Sequence, residues 1–167
     1  MTAVTSNSLT GDPSLDAMFS GTKWATNSLT FSFPADASLY GTSYGSGEPT
    51  SNFKALTATQ QTQIGNVLQN YSAVANLHFT QVTETSNSHG DIRYAESDKP
   101  STAWGYYPSS SAIGGDVWFN NSSHYYDNPV KGNYAYSIFM HETGHALGLK
   151  HPHEASGQFG TMPAEHD

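Results

Sequence analysis

The stretch His141-Glu142-Thr143-Gly144-His145-Ala146-Leu147-Gly148-Leu149-Lys150-His151 decides how the rest of the chain is read. Ile138, Phe139 and Met140 lead straight into it, and Gly148 is placed to end a helix running from about Tyr134 to Leu147. On such a helix, histidines four apart differ by about 40° in azimuth and about 6 Å in rise, so the imidazoles of His141 and His145 can reach one metal ion. Glu142 lies about 100° round from His141, which suits proton transfer beside a metal-held water better than ligation. His151 follows Gly148, where a continuing helix would carry it away from the metal. The chain must turn back there, and glycine allows that turn through the left-handed conformation.

Three neutral nitrogen ligands leave the fourth tetrahedral position of zinc to water, the open arrangement of a catalytic site. Imidazole also suits copper, cobalt and nickel, so zinc rests on the motif and on availability. The chemistry expected is hydrolysis of a peptide bond: the metal lowers the pKa of its water towards about 7, and Glu142 takes the proton and later delivers it to the leaving amine. No covalent acyl-enzyme is needed. The other histidines, His78, His89, His124, His153 and His166, fall outside the ligand spacing and are expected as surface or hydrogen-bonded groups.

Outward from the motif, the chain reads as one domain of 167 residues. Residues 1–14 are polar and aperiodic, a flexible lead-in, and the fold is expected to start near Leu15. Leu29 to Phe33 alternate apolar and hydroxyl residues and stop at Pro34, the pattern of a strand. A loop rich in Gly, Ser and Thr follows to about Asn52. Thr57 and Gln60 form a capping box before Ile64, Val67, Leu68, Tyr71, Val74 and Ala75, which recur at helical spacing. Leu77 to Glu84 and Asp91 to Ala95 read as strands joined by a polar turn containing Gly90. Ala103 to Pro108 and Gly115 to Asn120 read as further extended members of the sheet.

Composition narrows the function classes. Lysine plus arginine number 6 against 14 aspartate plus glutamate, a net charge of -8 that repels phosphate backbones and argues against nucleic acid. The absence of cysteine excludes disulfides, thiolate metal sites and a cysteine nucleophile. Met1 to Gly11 carry neither a basic n-region nor an apolar run, so neither a Sec-type signal nor a membrane span is expected there.

His141, Glu142, His145, Gly148 and His151 together resemble the extended signature of the metzincin zinc endopeptidases. HETGHALGLKHP, residues 141–152, is similar to the zinc helix of the serralysin family within peptidase family M10, and Leu15 to Trp24 with LTFSFP looks like that family's opening segment. The resemblance spans nearly the whole chain. It implies an α+β fold: a metzincin N-terminal lobe with a twisted five-stranded mixed sheet, one antiparallel edge strand and two long helices, the second carrying the zinc site. It also implies that residues 15–167 are catalytic domain, and that an extended peptide substrate lies along the edge strand, here Ala103, Trp104 and Gly105. A monomeric enzyme acting on proteins or peptides, secreted without an N-terminal signal peptide, is the corresponding expectation.

The departures from that family are equally specific. Serralysins carry a methionine turn with a nearby tyrosine after the third histidine, whereas no tyrosine follows Tyr136 here and Met162 stands in a different setting. The expectation is a chain ending before that turn, with Met162 as a stand-in. The glycine-rich repeats that bind Ca2+ in serralysins are likewise absent from the sequence, so calcium is expected only in a longer protein. Two rival functions are a zinc-binding but inactive fragment and a polysaccharide- or surface-binding module built on the aromatic residues between Tyr106 and Tyr126.

Overall fold

A computed structural model of the chain describes residues 2–164. Five strands make the central sheet, in the order β4-β3-β5-β7-β6, where β3 is Ser28–Ser32, β4 His78–Gln81, β5 Ile92–Ser97, β6 Ala103–Gly105 and β7 Val117–Asn120. β3 pairs in parallel with both β4 and β5, β5 pairs in parallel with β7, and β6 alone runs antiparallel at the edge. The strands expected on either side of Gly90 are therefore sequential without being neighbours. The backbone of Phe31 crosses so close to Gly90 that an added Cβ would lie 2.7 Å from the Phe31 carbonyl carbon, so glycine permits the crossing.

Alternation along the strands sorts side chains onto two unlike faces. Leu29, Phe31, Ile92, Tyr94, Val117 and Phe119 pack with the two long helices, α2 (Ala58–Val74) and α3 (Tyr134–Ala146). Thr57 and Gln60 form the reciprocal capping box at the start of α2, and Ile64, Val67 and Leu68 are its buried stripe. Each large apolar side chain buried here contributes about 1.5–3 kcal/mol.

The opposite face is covered by the Gly/Ser/Thr-rich loop, which folds as two short 3-10 turns at residues 37–40 and 48–50. Tyr40, Tyr44 and Phe53 from this segment surround Trp118. Arg93 lies over the Tyr40 ring at 4.2 Å and holds Asp116 at 2.6 Å, an ion pair with both side chains almost wholly buried. Burial pushes the Asp116 carboxyl up to about 7 while Arg93 and the Tyr44 hydroxyl pull it down.

The first residues differ from the expected lead-in. β1 (Val4–Ser6) pairs antiparallel with β2 (Thr22–Trp24), and Asp12 caps a short helix, α1 (Pro13–Asp16). A strand of three residues held by its backbone leaves no apolar period in the sequence, which is why residues 1–14 read as unstructured. Among the described residues no helix is long and apolar enough to cross a membrane.

Candidate metal centre

Helix α3 carries the first two histidines, His145 buried and His141 exposed. Asn133 caps its start by accepting from the Tyr136 N–H. Phe139 and Ala146 anchor it in the core. Trp24 Nε1 donates to the Ala146 carbonyl at 2.9 Å, and the Tyr71 hydroxyl donates to the Met140 carbonyl at 2.9 Å. The helix ends in a Schellman turn: Gly148 N–H bonds to His145 O and Leu149 N–H to Gly144 O, both at 2.9 Å. Gly148 sits at φ +103°, and a Cβ there would meet the Thr22 carbonyl oxygen at 2.5 Å. Both facts require glycine.

Past that turn the chain comes back because the N-terminal segment holds it. Phe19 and Leu149 form an antiparallel bridge, Ser20 N–H donates to Gly148 O, and Lys150 N–H donates to Met18 O. The Lys150 ammonium is buried among carbonyls, donating to Ala17, Glu154 and Gly160. Phe159, itself buried, meets Phe19 edge-on at 6.1 Å. Met162, named as a stand-in for the methionine turn, has its N–H on the Pro152 carbonyl at 2.8 Å and a half-buried side chain.

The result is convergence of three ring nitrogens. His141 Nε2 lies 2.9 Å from His151 Nε2 and 3.0 Å from His145 Nε2, and the His145–His151 pair is 3.2 Å apart. Two donors each 2.0–2.1 Å from a tetrahedral ion would stand about 3.3 Å apart, so this triangle fits a small divalent cation. Neutral imidazoles with their lone pairs turned inward repel one another unless a proton or a cation sits between them. The remaining nitrogens are oriented from outside: His145 Nδ1 bonds to Leu149 O at 2.7 Å and His151 Nδ1 to Glu154 Oε1 at 3.1 Å. Burial lowers the pKa of His141 and His145, favouring the neutral, ligating form.

Glu142 is 6% exposed. Burial pushes its carboxyl up to about 7, with the Gly105 N–H pulling it down, and a bound dication would pull further in the same direction. The edge strand approaches α3 at Gly105, where an added Cβ would run into the Glu142 carbonyl oxygen and come within 3.1 Å of the His145 Cβ. Gly105 thus lets β6 lie against the site. Ala103 packs with the main core, whereas Trp104 packs on the opposite face with the Trp118 cluster. A recess of about 280 Å3 beside β6 is lined by Ser46, Trp104, Gly105 and Tyr106.

Sequence reasoning missed Glu154, Lys150 and Tyr107, whose ring meets His145 edge-on at 5.6 Å. Lys150 lay inside the motif, and a lysine next to a ligand gives no sign of being buried. The histidines at 78, 89 and 124 lie outside the triad, His89 facing Gly90 O and His124 facing Asp127. His153 stacks on His151 at 5.3 Å, and His166 lies outside the described residues. In the aromatic stretch offered as a binding platform, Trp118, Phe119 and Tyr126 are fully buried, whereas Tyr107 and Tyr125 are exposed.

Comparison with known proteins agrees with this architecture. The family described as Matrixin, peptidase M10, matches residues 23–159. Serralysin B of Dickeya chrysanthemi is 33% identical over 114 residues, which are 64% of this chain and 23% of that protein. Serralysin of Photorhabdus sp. (strain Az29) is 32% identical over 59% of this chain and 21% of its own length, and the metallopeptidase AprA of Pseudomonas marginalis is 32% identical over 57% and 21%. The chain therefore spans less than a quarter of these relatives. With a family match over most of its length and a mixed sheet with an antiparallel edge strand, the chain belongs to the M10 (matrixin) family of metalloproteases and has serralysin-like relatives.

Proposed function

We propose that this chain is the zinc-binding portion of an endopeptidase that hydrolyses peptide bonds in extended protein substrates. The observation that carries the reading is the convergence of His141, His145 and His151 through Nε2, with the buried Glu142 in the same helix and the edge strand β6 against it. Zinc held by the three histidines supplies a Lewis acid that acidifies water and polarises a substrate carbonyl.

Every other contribution comes from the chain itself. Glu142 takes a proton from the attacking water and returns it to the leaving amine; its burial strengthens both transfers by excluding competing solvent. β6 has a hydrogen-bonded neighbour, β7, on one side only. Its free side suits an added peptide strand, whose main chain would be positioned by Ala103, Trp104 and Gly105. Side chains of that strand on the Trp104 face would enter the recess beside Ser46 and Tyr106. Secretion, a monomeric state and calcium bound elsewhere in a longer protein belong to the same proposal.

Glu142→Gln in the zinc-loaded protein is expected to lower cleavage of an unstructured protein substrate by about 10²–10⁴-fold. Zinc content should stay at one equivalent. Undiminished cleavage by the variant would remove Glu142 from the mechanism. The second reading, a metal-binding fragment without activity, draws on the small share of the relatives that the chain spans. Bound zinc without cleavage here, and cleavage by a longer chain, would decide for it.

A further inference from the structure

The loop that delivers His151 carries a second group of donors. His151, His153 and Glu154 have ligand atoms all within 4.8 Å of one another. The His151 Nε2 belongs to the triad, so the donors free for another ion are those of His153 and Glu154. Glu154 Oε1 lies 3.9 Å from His153 Nε2 and 3.1 Å from His151 Nδ1. An ion about 2.0–2.2 Å from an imidazole nitrogen and from a carboxylate oxygen holds them about 3.4 Å apart in tetrahedral geometry, so side-chain rotation that closes the present gap by about 0.5 Å would admit one. Both side chains are exposed, 71% for His153 and 50% for Glu154, which leaves them free to rotate and leaves water to complete the coordination. The His153 ring is already held parallel to His151, at 7°.

We propose that His153 and Glu154 form a second, weaker zinc seat, whose occupation works against the first. The same oxygen, Glu154 Oε1, faces both His151 Nδ1 and His153 Nε2, so the two partners compete for it. Drawing it onto a second ion removes the acceptor that orients His151, and it sets a second positive charge beside the triad. Both effects weaken the first site. Two protein donors bind zinc far less tightly than three converging histidines, so the seat fills only when zinc is in excess. The loop 151–154 therefore serves one ion at low zinc and two at high zinc.

This inference rests on the triad being a metal site but not on cleavage. Zinc titration of the chain by calorimetry, with visible absorption of the cobalt-substituted protein as a second readout, is expected to show one tight equivalent and a second at least about 100-fold weaker. His153→Ala should abolish the second equivalent and leave the first unchanged. Glu154→Gln should abolish the second and weaken the first by about 10–100-fold. Saturation at one equivalent in excess zinc, or a second equivalent that survives His153→Ala, would overturn the second seat. Cleavage missing while both equivalents bind would instead count against the peptidase reading.

Discussion

The two halves of the candidate metal centre are built by different means. His141, Glu142 and His145 are set by the period of one helix that packs against α2 and β6, with Glu142 and His145 buried and His141 exposed, and their mutual geometry would survive changes elsewhere in the chain. His151 and Glu154 ride on a loop whose path is imposed by residues 17–22, more than a hundred positions away in sequence. The contrast separates what makes a ligand from what delivers it. A helix supplies ligands through local hydrogen bonds; the third needs a reversed chain, and reversal needs a distant partner.

The hardest test of that contrast removes a ligand from each half. His145→Ala and His151→Ala should each lower zinc affinity by roughly 10³-fold, because each deletes one of three donors. They should differ in stability. His145 is 8% exposed, so its loss leaves a gap beneath Tyr107 costing about 1–2 kcal/mol, whereas loss of the half-exposed His151 should leave a urea melt of the metal-free protein nearly unchanged. Equal melts would show that the two halves are not energetically distinct.

Next in size is Lys150→Met, which removes the ammonium that gathers the Ala17, Glu154 and Gly160 carbonyls. Zinc affinity should fall about tenfold while circular dichroism keeps the helical signal of α2 and α3. Gly148→Ala forces an L side chain to φ +103° and against Thr22 O. It should cost about 1–3 kcal/mol in a denaturant melt. Acidification gives a graded effect: protons compete for the free imidazoles, so affinity falls as pH drops. Because burial holds His141 and His145 below their usual pKa, release should begin below the ordinary histidine range of about 6.5. The smallest effect belongs to His124→Ala, which should leave zinc stoichiometry untouched.

Legibility in the sequence followed the same division. The capping box at Thr57 and the stripe of Ile64, Val67 and Leu68 were readable because helix propensity, capping and periodicity coincide there. The convergence of the three histidines was readable because their spacing is local apart from one turn, and Gly148 announced that turn. What stayed hidden depends on long-range pairing. β1 has no apolar period; Lys150 and Glu154 look like surface charges; and the loop of residues 37–53 gives no hint that Tyr40, Tyr44 and Phe53 close over Trp118 and the Arg93–Asp116 pair. Even the order of β4 and β5 about β3 was invisible, because parallel partners are chosen by topology and not by the turn between strands.

The bridge between Phe19 and Leu149, with Lys150 on the carbonyl of Ala17, joins the ends of the chain at the place where the third histidine emerges. In thermodynamic terms, metal occupancy and closure of the N-terminal segment are linked functions: whatever stabilises one must stabilise the other by an equal free energy. Amide protons of residues 18–22, none of which contributes a ligand, should therefore exchange with deuterium more slowly once zinc is bound, making the beginning of the chain a reporter of events near its far end.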